Sequence, residues 1–162
     1  MRIYIVLAAA AFAVSCSKPA ETTHFETGLS TQQVMKHIID PAAVALWGRA
    51  GSVETEKGTE YLTPTSDEDW AAAENEAAIV AEGGNLLLLP GRAPTFGTEG
   101  GEWESFAHRL TQVALAVKAA TAARKPDEMF KSGADLYDVC TGCHSKYYTP
   151  YIDADGKYVP PK

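Results

Sequence analysis

The chain has 162 residues, of which 46% are hydrophobic and 22% charged, and its 21 acidic and 14 basic residues give a formal net charge of -7. This length allows one domain with a modest core, and the composition is globular rather than disordered or fibrous. The acidic balance excludes the basic surface that a nucleic-acid-binding domain needs. Alanine-rich stretches are frequent and runs of β-branched residues are scarce, so helices are favoured over strands.

The first 15 residues have the composition of a signal peptide. Arg2 gives a positive n-region, and the following uncharged apolar stretch, Ile3–Val14, has 12 residues, too few to span a bilayer comfortably. The alternative, a buried N-terminal helix, is disfavoured because no polar face interrupts the stretch. The segment Ala13-Val14-Ser15-Cys16 resembles the lipobox of bacterial lipoproteins. This resemblance implies that Cys16 is lipidated, begins the mature chain and anchors it at a membrane on the periplasmic side.

Residues 17–28 are polar and lack a helical period, which is typical of a tether. The first predicted helix begins after Ser30, whose spacing to Gln33 is that of a capping box. Pro41 lies inside the apolar pattern and predicts either a kink or a second segment capped by Asp40. The apolar face of this helix carries Val34, Met35, Ile38, Ile39, Ala42, Ala45 and Leu46.

Three more helices are predicted after a connection over Gly48–Pro64. The second begins at about Asp67 behind a capping box of Thr65 and Glu68, crosses Gly83 and Gly84, and ends near Leu88 before Pro90-Gly91. The third covers Glu102–Arg124, and the fourth starts at Pro126 and ends before Pro150. With no credible strand, residues 29–150 predict an all-α domain, an antiparallel four-helix bundle, followed by an irregular tail over 151–162.

The segment Cys140-Thr141-Gly142-Cys143-His144 has the pattern C-x-x-C-H. Two thiols at this spacing on a helix project to one side, where they can add to the two vinyl groups of haem, and the adjacent imidazole can bind the iron. The pattern therefore predicts one covalent haem c, held by Cys140 and Cys143 with His144 as an axial ligand. The third cysteine, Cys16, is explained by lipidation.

Three other interpretations of the motif are weaker. A thioredoxin-like C-x-x-C needs a βαβ context, and a structural zinc site needs more Cys or His ligands than the chain places nearby. A plain disulfide leaves His144 without a role. Only 18 residues follow His144, and none is Met or His. The arrangement of common small cytochromes c, with a methionine ligand after the motif, is therefore impossible.

A C-x-x-C-H motif in the last helix of an all-helical chain resembles the class II cytochromes c, the cytochrome c-prime family. The resemblance covers about residues 29–148 and implies a four-helix bundle with haem near one end. Family members usually have an aromatic and then a basic residue at the third and fourth positions after the histidine. Here these positions hold Tyr147 and Tyr148, so the chain is a divergent relative.

The second axial ligand has one good candidate. Met35 lies near the centre of the first helix's apolar face, and low-spin members of the class II family take a methionine ligand from that helix. The alternative is a core methionine that packs beside the porphyrin. Met129 is on the same helix as His144 and cannot reach the other face of the iron. His37 and His108 point away from the apolar faces of their helices, and His24 is in the tether.

These features predict a monohaem electron-transfer protein rather than an enzyme. The alternative is a five-coordinate haem protein that binds NO or CO, and a peroxidase comes last because the first helix offers no distal His or Arg. Loss of Arg2 with the signal peptide leaves 13 basic and 21 acidic residues, a charge of -8. We expect a basic redox partner and the membrane surface as partners, no nucleic acid, and leave a homodimer open.

Overall fold

A computed structural model describes residues 24–95, 97 and 101–148, and this part of the chain is mostly helical, as predicted. The predicted signal peptide, Cys16 and the tail over 151–162 lie outside the described residues. The elements in chain order are α1 (Thr31–Val34), a π-helical segment (Met35–Ile39), α2 (Asp40–Trp47), β1 (Ser52–Thr55), β2 (Gly58–Tyr61), α3 (Asp67–Leu87), α4 (Glu102–Ala122) and α5 (Pro126–Tyr147).

The start of α1 confirms the predicted capping box. The Ser30 hydroxyl accepts a hydrogen bond from the Gln33 backbone N–H at 3.2 Å, and the Gln33 side chain accepts one from the Ser30 backbone N–H at 2.8 Å. Two of the backbone donors that a helix N-terminus leaves unsatisfied are thereby paired.

The first helix runs without a break from α1 through the π-helical segment into α2, because every junction residue keeps right-handed helical angles. Proline at position 41 cannot donate to the carbonyl of His37, four residues earlier, and its ring would collide with that carbonyl in a regular α-helix. The helical turn that precedes Pro41 widens instead, and the Asp40 N–H donates to the carbonyl of Met35, five residues earlier. The predicted cap by Asp40 is therefore wrong, since Asp40 is itself helical.

The predicted start of α3 is confirmed, but the predicted capping pair is off by one residue. Ser66, not Thr65, is the cap, and its hydroxyl accepts from the Asp69 N–H at 3.0 Å. The Asp69 carboxylate turns back and accepts from the Thr65 hydroxyl at 3.2 Å. Both pairs match the sequence rule equally well, and the backbone geometry decides between them.

The stretch predicted to lack strands contains a short antiparallel hairpin of β1 and β2. Ser52 is paired with Tyr61 at its open end and Thr55 with Gly58 next to the turn. All eight strand residues are exposed, so no apolar alternation marks them in the sequence. The turn between the strands also lacks the usual Asn-Gly or Asp-Gly signal. Gly58 takes φ 115° directly after it, an angle that favours glycine.

Neighbouring helices run antiparallel, as contacts at both ends of each pair show. Between α3 and α4, Lys118 pairs with Glu74 at 2.7 Å at one end, and the Trp103 indole donates to the Leu87 carbonyl at 2.9 Å at the other. Between the first helix and α5, the Trp47 indole donates to the Gly133 carbonyl at 3.1 Å at one end, and Met35 lines the same cavity as Cys143 and His144 at the other. The start of the first helix and the end of α5 therefore lie at the same end of the domain.

Gly83 and Gly84 allow α3 to approach two helices closely. A Cβ atom on Gly83 would lie 2.5 Å from Cγ1 of Ile39 in the first helix, and one on Gly84 would lie 2.7 Å from the Ala107 carbonyl oxygen of α4. The Thr111 hydroxyl also crosses this contact and donates to the Ala81 carbonyl at 2.9 Å. Both glycines are buried, and α3 continues through them as predicted.

No helix among the described residues is both long and apolar enough to cross a membrane.

The substitution Gly84→Ala should destabilise the fold by about 1–3 kcal/mol, because its methyl group would be forced against the α4 backbone. Alanine elsewhere in a helix would gain up to about 1 kcal/mol over glycine. Urea unfolding followed by circular dichroism measures the change. The control is Asn85→Ala, at an exposed position of the same helix, which should change stability by less than about 0.5 kcal/mol. Equal stability of the two variants would contradict the close approach.

Candidate functional site

The C-x-x-C-H motif occupies the last two turns of α5. This helix begins at Pro126, with Asp127 and Glu128 in its first turn, where acidic side chains complement the helix dipole. The buried face of α5 carries Met129, Ser132, Gly133, Leu136, Val139, Cys143 and Tyr147. This periodic burial fixes the rotation of the helix and turns Cys143 inward, while Cys140, one turn earlier, is half-buried.

Both motif cysteines open onto a small apolar cavity of about 30 Å³. The cavity is walled by side chains from the first helix, the end of α3, α4 and α5: Met35, Ile39, Leu87, Trp103, Phe106, Ala107, Leu110, Val139, Cys140 and Cys143. Gly142, between the two cysteines, leaves room for the Phe106 ring, since a Cβ there would lie 3.3 Å from its edge.

Burial keeps both thiols neutral. It raises the pKa of Cys140 to about 11, with a smaller contribution from the negative charge of Asp40. The pKa of Cys143 also rises to about 11, through burial and then through its neighbour Cys140. Cysteines that act in thiol–disulfide exchange have lowered pKa values. The environment therefore disfavours the thioredoxin-like interpretation of the motif.

A larger cavity of about 760 Å³ adjoins the same end of α5 and shares Met35, Trp103 and Cys143 with the small one. It lies between the start of the first helix, the loop after α3 and the end of α5. Its lining is Thr27, Gly28, Leu29, Ser30, Thr31, Gln32, Gln33, Met35, Pro90, Gly91, Arg92, Ala93, Pro94, Trp103, Cys143, His144, Tyr147 and Tyr148.

His144 lies on the wall of the large cavity and is exposed towards solvent. Its ring lies 5.3 Å from the ring of Tyr148, at an angle of 36°. Partial burial lowers the pKa of His144, and the nearby charge of Asp40 opposes this shift. The lowered pKa favours the neutral imidazole, which is the form that binds metals.

Met35 is half-buried and lines both cavities. Cys143 also lines both of them, and His144 lines the larger one. It is also the first residue of the π-helical segment, and such segments are frequent at functional sites. The fold therefore brings all four residues predicted to hold haem, namely Cys140, Cys143, His144 and Met35, to one end of the domain.

His24, His37, His108 and Met129 line neither cavity. His24, His37 and His108 are exposed, and the His24 ring faces the Glu26 carboxylate at 3.6 Å. Met129 is fully buried near the start of α5. Among the described residues, no group of three or more His, Cys, Asp or Glu side chains is arranged to hold a metal ion.

Tyr147 fastens the end of α5 against α4. Its ring packs edge-on against Trp103 at 5.2 Å and Phe106 at 6.2 Å, and its hydroxyl donates to the Gly97 carbonyl. The neighbouring Lys146 pairs with Glu102 at the start of α4. The aromatic position after the motif thus builds the wall of the cavity, whereas Tyr148 is exposed beside the histidine.

Two residues of the site were missed in the sequence. Asp40 was considered only as a helix cap, yet its charge acts on both Cys140 and His144. Arg92 follows Pro90-Gly91 in a loop and gives no pattern of its own, but it is buried on the wall of the large cavity. Only the packing of the helices brings these two side chains to the motif.

The chain matches no protein-family model and no curated protein sequence.

The residues at this end of the domain fit a covalently bound haem. The volume of the larger cavity lies within the roughly 300–1,000 Å³ of cofactor sites. The two adjoining cavities together carry the donors that haem c requires, with Cys140 on the small one, His144 on the large one and Cys143 on both, and their shared walls are aromatic and aliphatic. Met35 supplies a thioether from a second helix.

The two motif thiols should alkylate slowly in the chain produced without haem attachment. Because burial raises their pKa values from the usual 9.0 to about 11, the thiolate fraction at neutral pH falls about 100-fold. Iodoacetamide labelling followed by mass spectrometry across pH 7–11 measures this, with the urea-unfolded chain as control. If the labelling rate of the folded chain reaches half of its high-pH maximum at or below pH 9, the burial of the thiols is contradicted.

Proposed function

We propose that this chain is a monohaem c-type cytochrome that transfers electrons on the periplasmic side of a bacterial membrane. The observation that carries the proposal is the convergence of the two motif thiols, His144 and Met35 on adjoining cavities at one end of the domain. In this proposal the four antiparallel helices form the four-helix bundle of the class II cytochromes c, with haem near one end.

Cys140 and Cys143 would hold the haem covalently. Each thiol would add its S–H across a vinyl C=C bond, so that one S–C and one C–H bond form and no oxidant is consumed. The thiols face an apolar cavity on the same side of α5, as two neighbouring attachment points require. Haem, when bound, supplies a one-electron couple between ferrous and ferric iron.

His144 would bind the iron through its neutral imidazole nitrogen, and Met35 would bind it through its thioether sulfur. A thioether favours ferrous iron and raises the reduction potential. Because Met35 lies on the first helix and His144 on α5, the two ligands would hold the iron between the two helices.

The side chains around the thiols would exclude water from the haem. Trp103, Phe106 and Leu87 form aromatic and aliphatic walls, and Trp103 is fixed by its hydrogen bond to the Leu87 carbonyl. A dry site whose groups are fixed by packing changes little when the iron changes charge. Electron transfer then needs an exposed haem edge but no catalytic residue, so the protein is not an enzyme.

Lipidation of Cys16 would keep the domain near membrane-bound redox partners, with residues 17–28 as the tether. The mature chain carries a charge of -8, and a partner that docks near the haem edge would be basic.

The protein purified from the bacterial membrane fraction should keep its haem after denaturation and acid–acetone extraction. Its pyridine haemochrome spectrum should be that of haem with two thioether links, because both thiols would be bonded to it. Intact mass would also report acyl chains on Cys16. The double variant Cys140→Ala, Cys143→Ala is the control and should lose its haem on extraction. Extraction of haem from the wild-type protein would refute the proposal.

The variant Met35→Leu tests the second axial ligand. Leucine keeps the volume but removes the sulfur, so the haem should change from low-spin to high-spin and bind CO readily. The stability cost should stay below about 1.5 kcal/mol. Absorption spectra of the oxidised, reduced and CO-treated protein measure the change.

Met129→Leu is the matched control, since Met129 is buried in the same domain near the opposite end of α5 and its replacement should leave the spectra unchanged. A wild-type ferrous haem that is already high-spin and binds CO at once would exclude ligation by Met35. The function would then be the binding of NO or CO rather than electron transfer.

A further inference from the structure

Arg92 places a buried positive charge at the cavity. The residue is only 6% exposed, and it lines the large cavity. Its guanidinium atoms Nε and Nη1 are buried and have no hydrogen-bond acceptor among the residues that the structure describes.

The backbone of Arg92 is held from two directions. Its N–H donates to the Leu89 carbonyl at 3.1 Å, just after the end of α3. Its carbonyl accepts from the Thr31 hydroxyl at 2.7 Å, at the first residue of the first helix. Gly91, with φ 80°, makes the turn that connects these contacts. The position of the side chain is thus set by the same packing that forms the cavity.

A buried guanidinium requires an anion. Arginine stays protonated in proteins, and a buried charge without a partner strongly destabilises a fold. Among the described residues that line the large cavity, none is an aspartate or a glutamate. The described lining therefore offers no carboxylate to Arg92, and a ligand of the cavity can supply the anion.

We infer that Arg92 binds a propionate carboxylate of the haem, an inference that rests on the proposed function. Haem carries its two propionates on the edge opposite its two vinyl groups. The vinyl edge would be held on α5 by Cys140 and Cys143, whereas Arg92 belongs to the loop after α3. Guanidinium N–H groups make strong charge-assisted hydrogen bonds to carboxylates, so Arg92 would satisfy its own donors and orient the far edge of the haem.

This contact has an electrostatic consequence for the iron. A propionate charge near the macrocycle favours the ferric form, and a guanidinium beside it offsets that charge in a site shielded from water. Arg92 therefore raises the reduction potential. An exposed arginine of the same charge, such as Arg109 on the outer face of α4, is screened by solvent and has little effect.

The first test is a redox titration of the purified holoprotein and three variants. Arg92→Gln should lower the ratio of ferrous to ferric haem at a fixed potential by about tenfold, equivalent to 59 mV for one electron. Arg92→Lys, which keeps the charge, should recover most of this ratio, and Arg109→Gln should match the wild type. If haem is attached in all of them and Arg92→Gln also matches the wild type, the inference is overturned while the proposed function stands.

The second test observes the propionate carboxylate directly. Haem labelled with ¹³C at its propionate carboxyls should give a redox-induced infrared difference band in the wild-type protein that shifts in Arg92→Lys and not in Arg109→Gln. Altered CO binding in Arg92→Lys with an unshifted band would overturn the inference and place Arg92 beside the iron. A potential that depends on added inorganic phosphate, again with an unshifted band, would overturn it in favour of a free anion. Absence of covalent haem from the wild type would refute the proposed function itself.

Discussion

The close packing of α3 against its two neighbours at Gly83 and Gly84 sets the geometry on which the cavities depend. Ile39 of the first helix lies against one glycine, and Ala107 and Thr111 of α4 lie against the other. Ile39 ends the segment that begins with Met35, and Ala107 follows Phe106. Any side chain at these glycines would displace a helix whose residues wall the site. The two neighbours are thus positioned by direct contact with the α3 backbone.

The widened turn of the first helix has a local cause and a consequence at the site. Pro41 removes a hydrogen-bond donor, and the helix responds by forming five π-helical residues that begin at Met35. The helix continues through this segment with right-handed helical angles, and both Met35 and Asp40 lie near the end of α5. Met35 lines the cavities with Cys143, while the charge of Asp40 acts on Cys140 and His144.

Charge at this end of the domain is arranged around a mostly apolar interior. The thiols are kept neutral by burial, and Lys146 forms an ion pair with Glu102. Arg92 is the exception, since its guanidinium is buried without an acceptor among the described residues. The aromatic position after the motif, Tyr147, closes the wall against Trp103 and Phe106. The next residue, Tyr148, is exposed and its ring lies beside that of His144.

The sequence by itself determined the helical class, the bounds of α3, α4 and α5 to within about two residues, and the motif with its neighbours on one helix. These features rest on local periodicity, capping residues and spacing within a single element, all of which are visible in consecutive residues. The hairpin was missed because its strands are exposed on both faces and carry no apolar alternation. The cap at Ser66 was misplaced by one residue because two overlapping pairs satisfy the same rule.

Only the tertiary structure decided which distant residues share the site. The pattern around Met35 showed that it faces inward, but the antiparallel packing of the first helix was needed to bring it to the cavities of α5. Asp40 lies within a helix and Arg92 in the loop between α3 and α4, and neither belongs to a sequence motif that would mark it as part of the site. Their roles arise from burial and proximity, which depend on how separate helices pack against each other and cannot be read from any one segment.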